Sequence, residues 1–202
     1  MHRQAQGQVS NVAGLVLAAG ASRRFGSDKR QAPLTGGATL LATSLRVPCA
    51  VLAEVLVVMR PEDDPLALSL PATVHCVPGE RSALGMGHSL ASGVRHLLAV
   101  SHAEAVAIFL GDMPWLAETS LRQLLARADA TRIVLPVYEG QRGHPVIFGR
   151  DFWPELAALA GDSGARKVIE AHPAAHCRVE LDDPGLVEDV DTPEALQGRP
   201  WG

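Results

Sequence analysis

The chain has 202 residues, of which 47% are hydrophobic and 20% are charged, and its formal net charge is −4. This length and apolar content suit one folded domain with a buried core. The acidic balance and the 4% aromatic content disfavour a nucleic-acid partner, since Lys and Arg cluster only in one short loop near the N-terminus.

The sequence carries no targeting signal and no cysteine pattern. No run approaches the ~20 apolar residues of a membrane span, and the polar residues 1–11 are unlike a signal peptide. The three cysteines are widely spaced and form no C-x-x-C pair, so neither a disulfide framework nor a zinc site is indicated. We expect a cytoplasmic protein without a membrane partner, with residues 1–10 disordered and one domain over residues 11–202.

Short apolar runs rich in β-branched residues alternate with helical patterns, which is typical of a Rossmann-like, three-layer α/β/α fold with a mostly parallel sheet. Strands are predicted at residues 12–17, 54–59, 73–77, 105–110 and 133–138, with weaker candidates at 145–148 and 176–181. Helices are predicted at residues 39–46, 87–99, 119–128, 150–159 and 163–171, and a last short helix follows an N-cap at Thr192. Ligands of such sheets bind beyond the carboxyl ends of the strands.

The first predicted strand ends in a loop of small and cationic residues, LAAGASRRFGSDK at positions 17–29. Small side chains let a ligand approach the backbone, whose N–H groups then bind phosphate oxygens. The loop is not a Walker loop, because five residues separate Gly20 from Gly26, and no Gly-x-Gly-x-x-Gly follows any strand. The segment therefore predicts a polyphosphate site of another kind.

The fixed residues of this loop, Leu-Ala-Ala-Gly-x-Ser-x-Arg-x-Gly-x-x-Lys, resemble the signature of the MobA-like NTP transferases. This family includes the molybdenum cofactor nucleotidyltransferases, and the resemblance covers residues 12–196. It implies a nucleotide-diphospho-sugar-transferase-like fold and a catalytic role for Arg24 and Lys29, which would neutralise and hold a triphosphate. The nucleotide-binding positions that it implies in this loop are Leu17, Ala18, Ala19, Gly20, Ser22, Arg24 and Lys29.

A second candidate site follows the strand predicted at 105–110, in the sequence Gly111-Asp112-Met113-Pro114. A carboxylate after a buried strand can hold Mg²⁺, which takes one or two carboxylates together with substrate phosphates. An isolated Gly-Asp could instead form an Asx turn or cap the next helix. We favour the metal because a phosphate loop is present in the same chain, and the resemblance implies that Asp112 is a nucleotide-binding, catalytic magnesium ligand.

The acidic segment at 187–194 resembles the closing Asp-Ile-Asp-Thr-Pro-Glu stretch of the family. If the backbone is extended there, Asp189 and Asp191 lie on the same side. The resemblance implies that one of these carboxylates helps Asp112 to hold the metal, and Asp191 is the better candidate. The alternative is that Asp191 only opens the following helix.

Three further segments resemble parts of the family that contact the nucleotide and the acceptor. Residues 85–90, GMGHSL, resemble the loop over the base and ribose and give Gly87 and Ser89 as nucleotide-binding candidates. Ser89 could equally cap its own helix, and as a single role the cap is favoured. Residues 142–145 and 161–166 resemble segments that line the acceptor side, or the latter forms only a capped tight turn. The acceptor-binding candidates are His144, Asp162 and Arg166.

Together these segments predict a Mg²⁺-dependent nucleotidyltransferase, in which an acceptor phosphate attacks the α-phosphorus and pyrophosphate leaves. The nucleophile is already an anion, so no general base is required and catalysis rests on positioning and charge stabilisation. Leu-Ala-Ala-Gly resembles the cytidylyltransferase form of the family and Leu-Ala-Gly-Gly the guanylyltransferase form. In addition, the methyl group of Ala19 leaves less room for a purine than a glycine would. We therefore expect CTP as the nucleotide and a phosphorylated small molecule such as molybdopterin as the acceptor.

Two alternatives remain at the level of the sequence. The enzyme could be a GTP:molybdopterin guanylyltransferase, or it could use another small phosphorylated acceptor. In a different class, a non-catalytic protein would bind the finished molybdenum cofactor and deliver it to a molybdoenzyme or its chaperone. Such a protein would tolerate the loss of Lys29 or Asp112, and both residues are present.

Overall fold

The structure is a computed structural model that describes residues 11–20, 25–34, 36–193 and 195. Within these residues eight strands occur: β1 (Val12–Leu17), β2 (Val55–Met59), β3 (His75–Pro78), β4 (Ala105–Leu110), β5 (Ile133–Tyr138), β6 (Gln141–Arg142), β7 (Val146–Gly149) and β8 (His176–Glu180). The α-helices of the same residues are α1 (Leu40–Val51), α2 (Met86–Val100), α3 (Glu118–Leu125), α4 (Trp153–Ala157) and α5 (Arg166–Ala171).

The strands form one mixed sheet in the order β3-β2-β1-β4-β7-β5-β6, with β8 paired to β5. β1 is parallel to both β2 and β4, and β3 is parallel to β2. β7 is antiparallel to β4 and β5, whereas β8 is parallel to β5. The prediction of an α/β fold with a mostly parallel, mixed sheet is confirmed.

Two apolar cores lie on opposite faces of the sheet, because successive side chains of a strand point to opposite faces. Val16 of β1 belongs to the core that contains Leu41 and Leu45 of α1. Its neighbour Leu15 belongs to the other core, with Leu90 of α2. Both faces of β1 are thus covered by helices, which explains its continuous apolar run.

All five helices differ from their predicted bounds, by one residue at each end of α2 and by more in α1, α3, α4 and α5, and two of these differences have a clear cause. α1 continues through Pro48 to Val51, although the sequence predicted an end at residue 46. Proline removes one intrahelical hydrogen bond, but Pro48 itself and Val47 are buried, and this packing keeps the helix intact. α5 begins at Arg166 rather than at residue 163, because the preceding Gly164 has a φ of 50°, which a right-handed helix does not allow.

The sequence did not predict strand β6, which forms a hairpin with β5. Glu139 and Gly140 connect the two strands with φ angles of 47° and 79°. Positive φ at both central residues is the requirement of the tight turns that match the twist of a hairpin. The hairpin turns the chain back toward residues 142–145, which the sequence had marked as an acceptor segment.

Some predictions fall on parts of the chain that the structure does not describe. Residues 1–10 and most of the helix predicted after Thr192 lie outside the described residues. None of the described helices has the length and apolar character that crossing a bilayer requires.

Candidate active site

A cavity of about 890 Å³ opens beyond the carboxyl ends of β1 and β4. These strands are parallel neighbours with Leu17 opposite Leu110, so the loops that follow them meet at one edge of the sheet. The described residues predicted as site residues that line this cavity are Leu17, Ala19, Gly20, Lys29, Ser89, Asp112, Asp162 and Asp191. The topology thus brings together residues that are far apart in the sequence.

Two predicted site residues lie outside the described residues, and two others are buried without lining the cavity. Ser22 and Arg24 lie outside the described residues, so their roles stay predictions. Ala18 is buried behind the cavity wall, with 4% of its surface exposed, and its N–H donates to the carbonyl of Val58 in β2. Gly87 is buried in the first turn of α2, and its N–H donates to the carbonyl of Gly161.

Three carboxylates form an acidic cluster, and two of them, Asp112 and Asp191, line the cavity. One oxygen from each of Asp112, Asp189 and Asp191 lies within 4.8 Å of the others. The segment that carries the last two is tied to the end of β4, because the N–H of Val190 donates to the carbonyl of Asp112 at 2.9 Å. Burial and the two neighbouring carboxylates raise the pKa of Asp189 above its ordinary value.

The cluster has the donor set of a divalent cation site. Oδ1 of Asp112 is buried and has no hydrogen-bond partner among the described residues. Buried polar atoms are nearly always paired, so an unpaired one needs an explanation. Hard cations such as Mg²⁺ and Mn²⁺ prefer oxygen ligands from carboxylates, and a cation here would pair this oxygen. The residues therefore fit a divalent metal.

Lys29 connects the phosphate loop to this acidic cluster. It begins a 3-10 turn, Lys29–Gln31, whose N-cap is Asp28. Its Nζ lies 2.7 Å from Oδ2 of Asp112 and 3.5 Å from Oδ1 of Asp191, and it donates to the carbonyl of Val190 at 3.0 Å. Lys29 thus lines the cavity, and its ammonium group contacts the carboxylates of the cluster.

Arg60 is a cavity residue that the sequence reasoning missed. It directly follows β2, lines the cavity and donates from Nη2 to the carbonyl of Gly20. Its Nη1 lies 3.6 Å from Oδ2 of Asp28. The available signal was its position at the carboxyl end of a buried parallel strand, where ligands of such sheets bind.

The start of α2 overturns one interpretation of Ser89. Gly85 occupies the N-cap position with a φ of 123°, and the helix begins at Met86. Ser89 lies inside the first turn, where it is buried and lines the cavity. The expectation that Ser89 caps its own helix is wrong, because the positive φ of Gly85 starts the helix earlier.

A second cavity of about 230 Å³ adjoins the first and shares Leu17, Met86, Leu110 and Asp162 with it. The three predicted acceptor-binding residues all line it: His144, Asp162 and Arg166. Asp162 therefore lies between the two cavities. The predicted acceptor residues therefore line a cavity that shares a wall with the predicted nucleotide site.

His144 and the 161–166 segment give this second cavity its chemistry. Nδ1 of His144 is buried without a hydrogen-bond partner among the described residues. Burial lowers the pKa of His144, so its imidazole is neutral at pH 7. Ala165 holds the N-cap position of α5, so the interpretation of Asp162 or Ser163 as that cap is wrong.

Comparison with known proteins gives a family match over most of the chain. The model of the MobA-like NTP transferase domain matches residues 14–177. The purine catabolism protein PucB of Bacillus subtilis (strain 168) is 34% identical over 194 residues, which are 90% of this chain and 92% of that protein. A probable molybdenum cofactor guanylyltransferase of Mycobacterium tuberculosis H37Rv is 34% identical over 163 residues, 78% of this chain and 77% of that protein.

Two further similarities extend the comparison. The nicotine blue oxidoreductase of Paenarthrobacter nicotinovorans is 26% identical over 200 residues, 92% of this chain and 94% of that protein. Among solved structures, the Rv0371C protein of Mycobacterium tuberculosis H37Rv in complex with manganese is 26% identical, with a TM-score of 0.72. The structural match covers 92% of this chain and 95% of that chain.

Proposed function

The chain belongs to the MobA-like NTP transferase family and is a nucleotidyltransferase, and we propose that it transfers CMP from CTP to the phosphate of a molybdopterin-like acceptor with Mg²⁺. The observation that carries this proposal is the meeting of Lys29 and Asp112, 2.7 Å apart, which both line a cavity that adjoins a second cavity. A phosphate-binding cation and a metal-binding carboxylate are the two groups that nucleotidyl transfer needs at one point.

Three carboxylates would hold the metal, with Asp112 and Asp191 as its principal ligands. The unpaired Oδ1 of Asp112 and the mutual distances within 4.8 Å support this assignment. The manganese complex of the similar mycobacterial protein supports a divalent cation in this fold. When bound, Mg²⁺ supplies positive charge that stabilises the negative charge developing on the reacting phosphates.

Two groups of residues would bind the two substrates. Lys29, with Arg24 and Ser22 of the loop, would hold the triphosphate. His144, Asp162 and Arg166 would hold the acceptor so that its phosphate faces the α-phosphorus. An acceptor phosphate oxygen forms the new bond to this phosphorus, the bond to the bridging oxygen breaks, and pyrophosphate leaves. The attacking group is an anion, so no proton has to be removed by the protein.

The preference for CTP rests on Ala19, which lines the nucleotide cavity and is 7% exposed. A methyl at this position takes space that a purine would need, although one methyl discriminates by only ~1–3 kcal/mol. GTP is the second candidate, because a probable guanylyltransferase is 34% identical to this chain. Pyrimidine and purine use are therefore compared directly in the experiment.

Binding and turnover distinguish the enzyme from a delivery protein. The four ribonucleoside triphosphates are first compared by thermal shift in the presence of Mg²⁺, where a hundredfold excess over Kd should add ~2.7 kcal/mol of stability. Purified protein is then incubated with molybdopterin and CTP, and the dinucleotide product and pyrophosphate are quantified. Stabilisation by CTP with release of pyrophosphate supports the proposal. A protein that binds the finished cofactor but releases no pyrophosphate from any triphosphate would refute it.

A further inference from the structure

Arg30 is a buried cation directly behind the phosphate loop, with 4% of its surface exposed. Its Nε and Nη2 donate to the two carboxylate oxygens of Asp28 at 2.8 and 2.6 Å. Its Nη2 and Nη1 donate to the two oxygens of Asp63 at 2.7 and 2.5 Å, and Nη1 also donates to the carbonyl of Ala18 at 2.9 Å. All five N–H groups of the guanidinium are thereby used.

This arrangement, the Arg30 bracket of Ala18, Asp28, Arg30 and Asp63, joins three separate segments. Ala18 directly follows β1, Asp28 caps the 3-10 turn that carries Lys29, and Asp63 lies in the loop after β2.

Hydrogen bonds from Arg30 lower the pKa of Asp28. Burial opposes ionisation of Asp63, but hydrogen bonds from Arg30 and from the Arg60 N–H outweigh it and lower the pKa of that carboxyl too. Both carboxylates are therefore charged, and the bracket is a buried ionic unit.

The bracket fixes the direction of the first peptide of the loop. The N–H of Ala18 donates to Val58 in β2, and in an extended strand the carbonyl of the same residue points to the same side. β2 supplies no partner for this carbonyl, because the N–H of Arg60 donates to Asp63 instead. Nη1 of Arg30 donates to the carbonyl of Ala18 in place of the missing N–H of β2. Since the peptide is planar and trans, the N–H of Ala19 then points to the opposite side, toward β4 and Asp112.

The bracket also fixes the turn from which Lys29 reaches the acidic cluster. Neighbouring residues of a 3-10 turn are rotated by about 120° about its axis. Arg30 is held in the bracket by Asp28 and Asp63, so Lys29 is turned toward Asp112, where its Nζ lies 2.7 Å from the carboxylate. Only the planar guanidinium has the donors to bridge two carboxylates and a carbonyl at once.

We propose that Arg30 is a positioning residue for triphosphate binding, which acts through Lys29 and the N–H of Ala19 without touching the nucleotide. The inference rests on the proposed function, because it requires that Lys29 binds a triphosphate. It distinguishes two neighbouring cations in one turn: Lys29 contacts the ligand, and Arg30 determines where Lys29 stands.

A double-mutant cycle tests this role, with the affinity for CTP and Mg²⁺ measured by calorimetry and kcat and KM measured separately. The variants are Lys29→Met, Arg30→Met and the double variant. Each single substitution should weaken CTP binding about tenfold, which is the size of one lost charge-assisted interaction. The double variant should be within about twofold of Lys29→Met, since Arg30 acts largely through the missing ammonium. Fully additive losses, or an unchanged affinity in Arg30→Met, would overturn the proposal.

Control variants separate positioning from general stability. Arg150 is a partly buried arginine that donates to the carbonyls of Ser101 and Ala103, in the loop that precedes β4, away from its carboxyl end. Arg150→Met should lower the melting temperature but leave the affinity for CTP within about twofold of the wild type. If Arg30→Met does not fold, Asp63→Asn gives the same test, because it weakens the bracket and keeps its shape. Wild-type protein that binds no nucleoside triphosphate would instead refute the proposed function and this role with it.

Discussion

Nζ of Lys29 lies 2.7 Å from Oδ2 of Asp112, and 83 residues of sequence separate the two. The ammonium group therefore contacts the same carboxylate that is the principal candidate for a metal ligand. Because Lys29 also lies 3.5 Å from Asp191, it balances part of the charge of the acidic cluster. A triphosphate that draws Lys29 away would leave these carboxylates to the metal.

The first prediction concerns metal binding without nucleotide. Lys29→Met should bind Mn²⁺ alone about tenfold more tightly than the wild type, because the competing cation at Asp112 is gone. Electron paramagnetic resonance of free Mn²⁺ measures this directly. The same variant should bind CTP more weakly, since the ammonium no longer meets the phosphates.

Arg60→Met is the matched control for that experiment, because Arg60 lines the same cavity but pairs with Gly20 and Asp28 rather than with the cluster. Its affinity for Mn²⁺ should change by less than about threefold. An equal gain in Mn²⁺ affinity in both variants would show that only the overall positive charge of the cavity matters, not the contact of Lys29 with Asp112. An unchanged affinity in Lys29→Met would show that Lys29 does not compete for the metal site.

The second prediction concerns Asp112 itself. Asp112→Asn should abolish transfer with little change in the melting temperature, because the amide keeps the shape but loses the charge that holds Mg²⁺ against a triphosphate. Steady-state turnover at saturating Mg²⁺ is the measurement. Asp151→Asn, an exposed aspartate after β7, serves as the control and should keep wild-type turnover. Near wild-type activity of Asp112→Asn would mean that Asp112 is only a turn residue.

The strands that matter most for the site could be predicted from the sequence to the residue. β1, β4 and β5 have their predicted bounds, since each is an uninterrupted apolar run covered on both faces. The positions of Lys29 and Asp112 near one another also followed, because both segments were expected at the carboxyl ends of parallel strands. The pattern of apolar runs was thus sufficient to predict which segments meet at the site.

The Arg30 bracket could not be predicted in the same way. Arg30 directly follows the last fixed residue of the loop motif, Lys29, and Asp63 lies in the segment Pro61-Glu62-Asp63-Asp64-Pro65, whose two prolines are typical of a loop. Their pairing depends on where the hydrogen bonding between β1 and β2 ends, after Ala18 and Val58, which no local pattern encodes. The prediction that Ser89 caps its helix was wrong for a related reason. The sequence alone does not show that Gly85 adopts a positive φ and that α2 begins before Ser89.

The third prediction concerns the contact between the two cavities. A Cβ on Gly87 would lie 2.8 Å from the carbonyl oxygen of Gly161 and 3.0 Å from backbone atoms of Ala160, so Gly87→Ala must displace the segment that carries Asp162. We expect KM for the acceptor to rise about tenfold, with a smaller change in KM for CTP. Kinetics with each substrate varied in turn give both values.

The control for this variant is His96→Ala, an exposed substitution on the same helix that should leave both KM values unchanged. A rise confined to KM for CTP would place the 161–164 segment on the nucleotide side instead. That result would also remove Asp162 from the acceptor-binding set.

The fourth prediction concerns the choice of base, which we assign to the methyl group of Ala19. Ala19→Gly should make room for a larger base and shift the preference from CTP toward GTP by about tenfold, the value of one methyl contact. Other residues of the cavity, such as Ser89, also line the space near α2 and limit the shift to a partial one. Competition between CTP and GTP in one reaction, with molybdopterin as acceptor and both dinucleotide products quantified, measures it.

Ala18→Gly is the control for the base preference, because Ala18 is buried and does not line either cavity. It removes the same methyl group from the neighbouring position, so it should cost stability and leave the ratio of products unchanged. A similar shift in both variants would indicate a general loosening of the loop rather than a contact with the base. Wild-type protein that makes mostly the guanine product would overturn the cytidylyl assignment, whereas the nucleotidyltransferase activity would stand, since Lys29 and Asp112 act on the phosphates of either nucleotide.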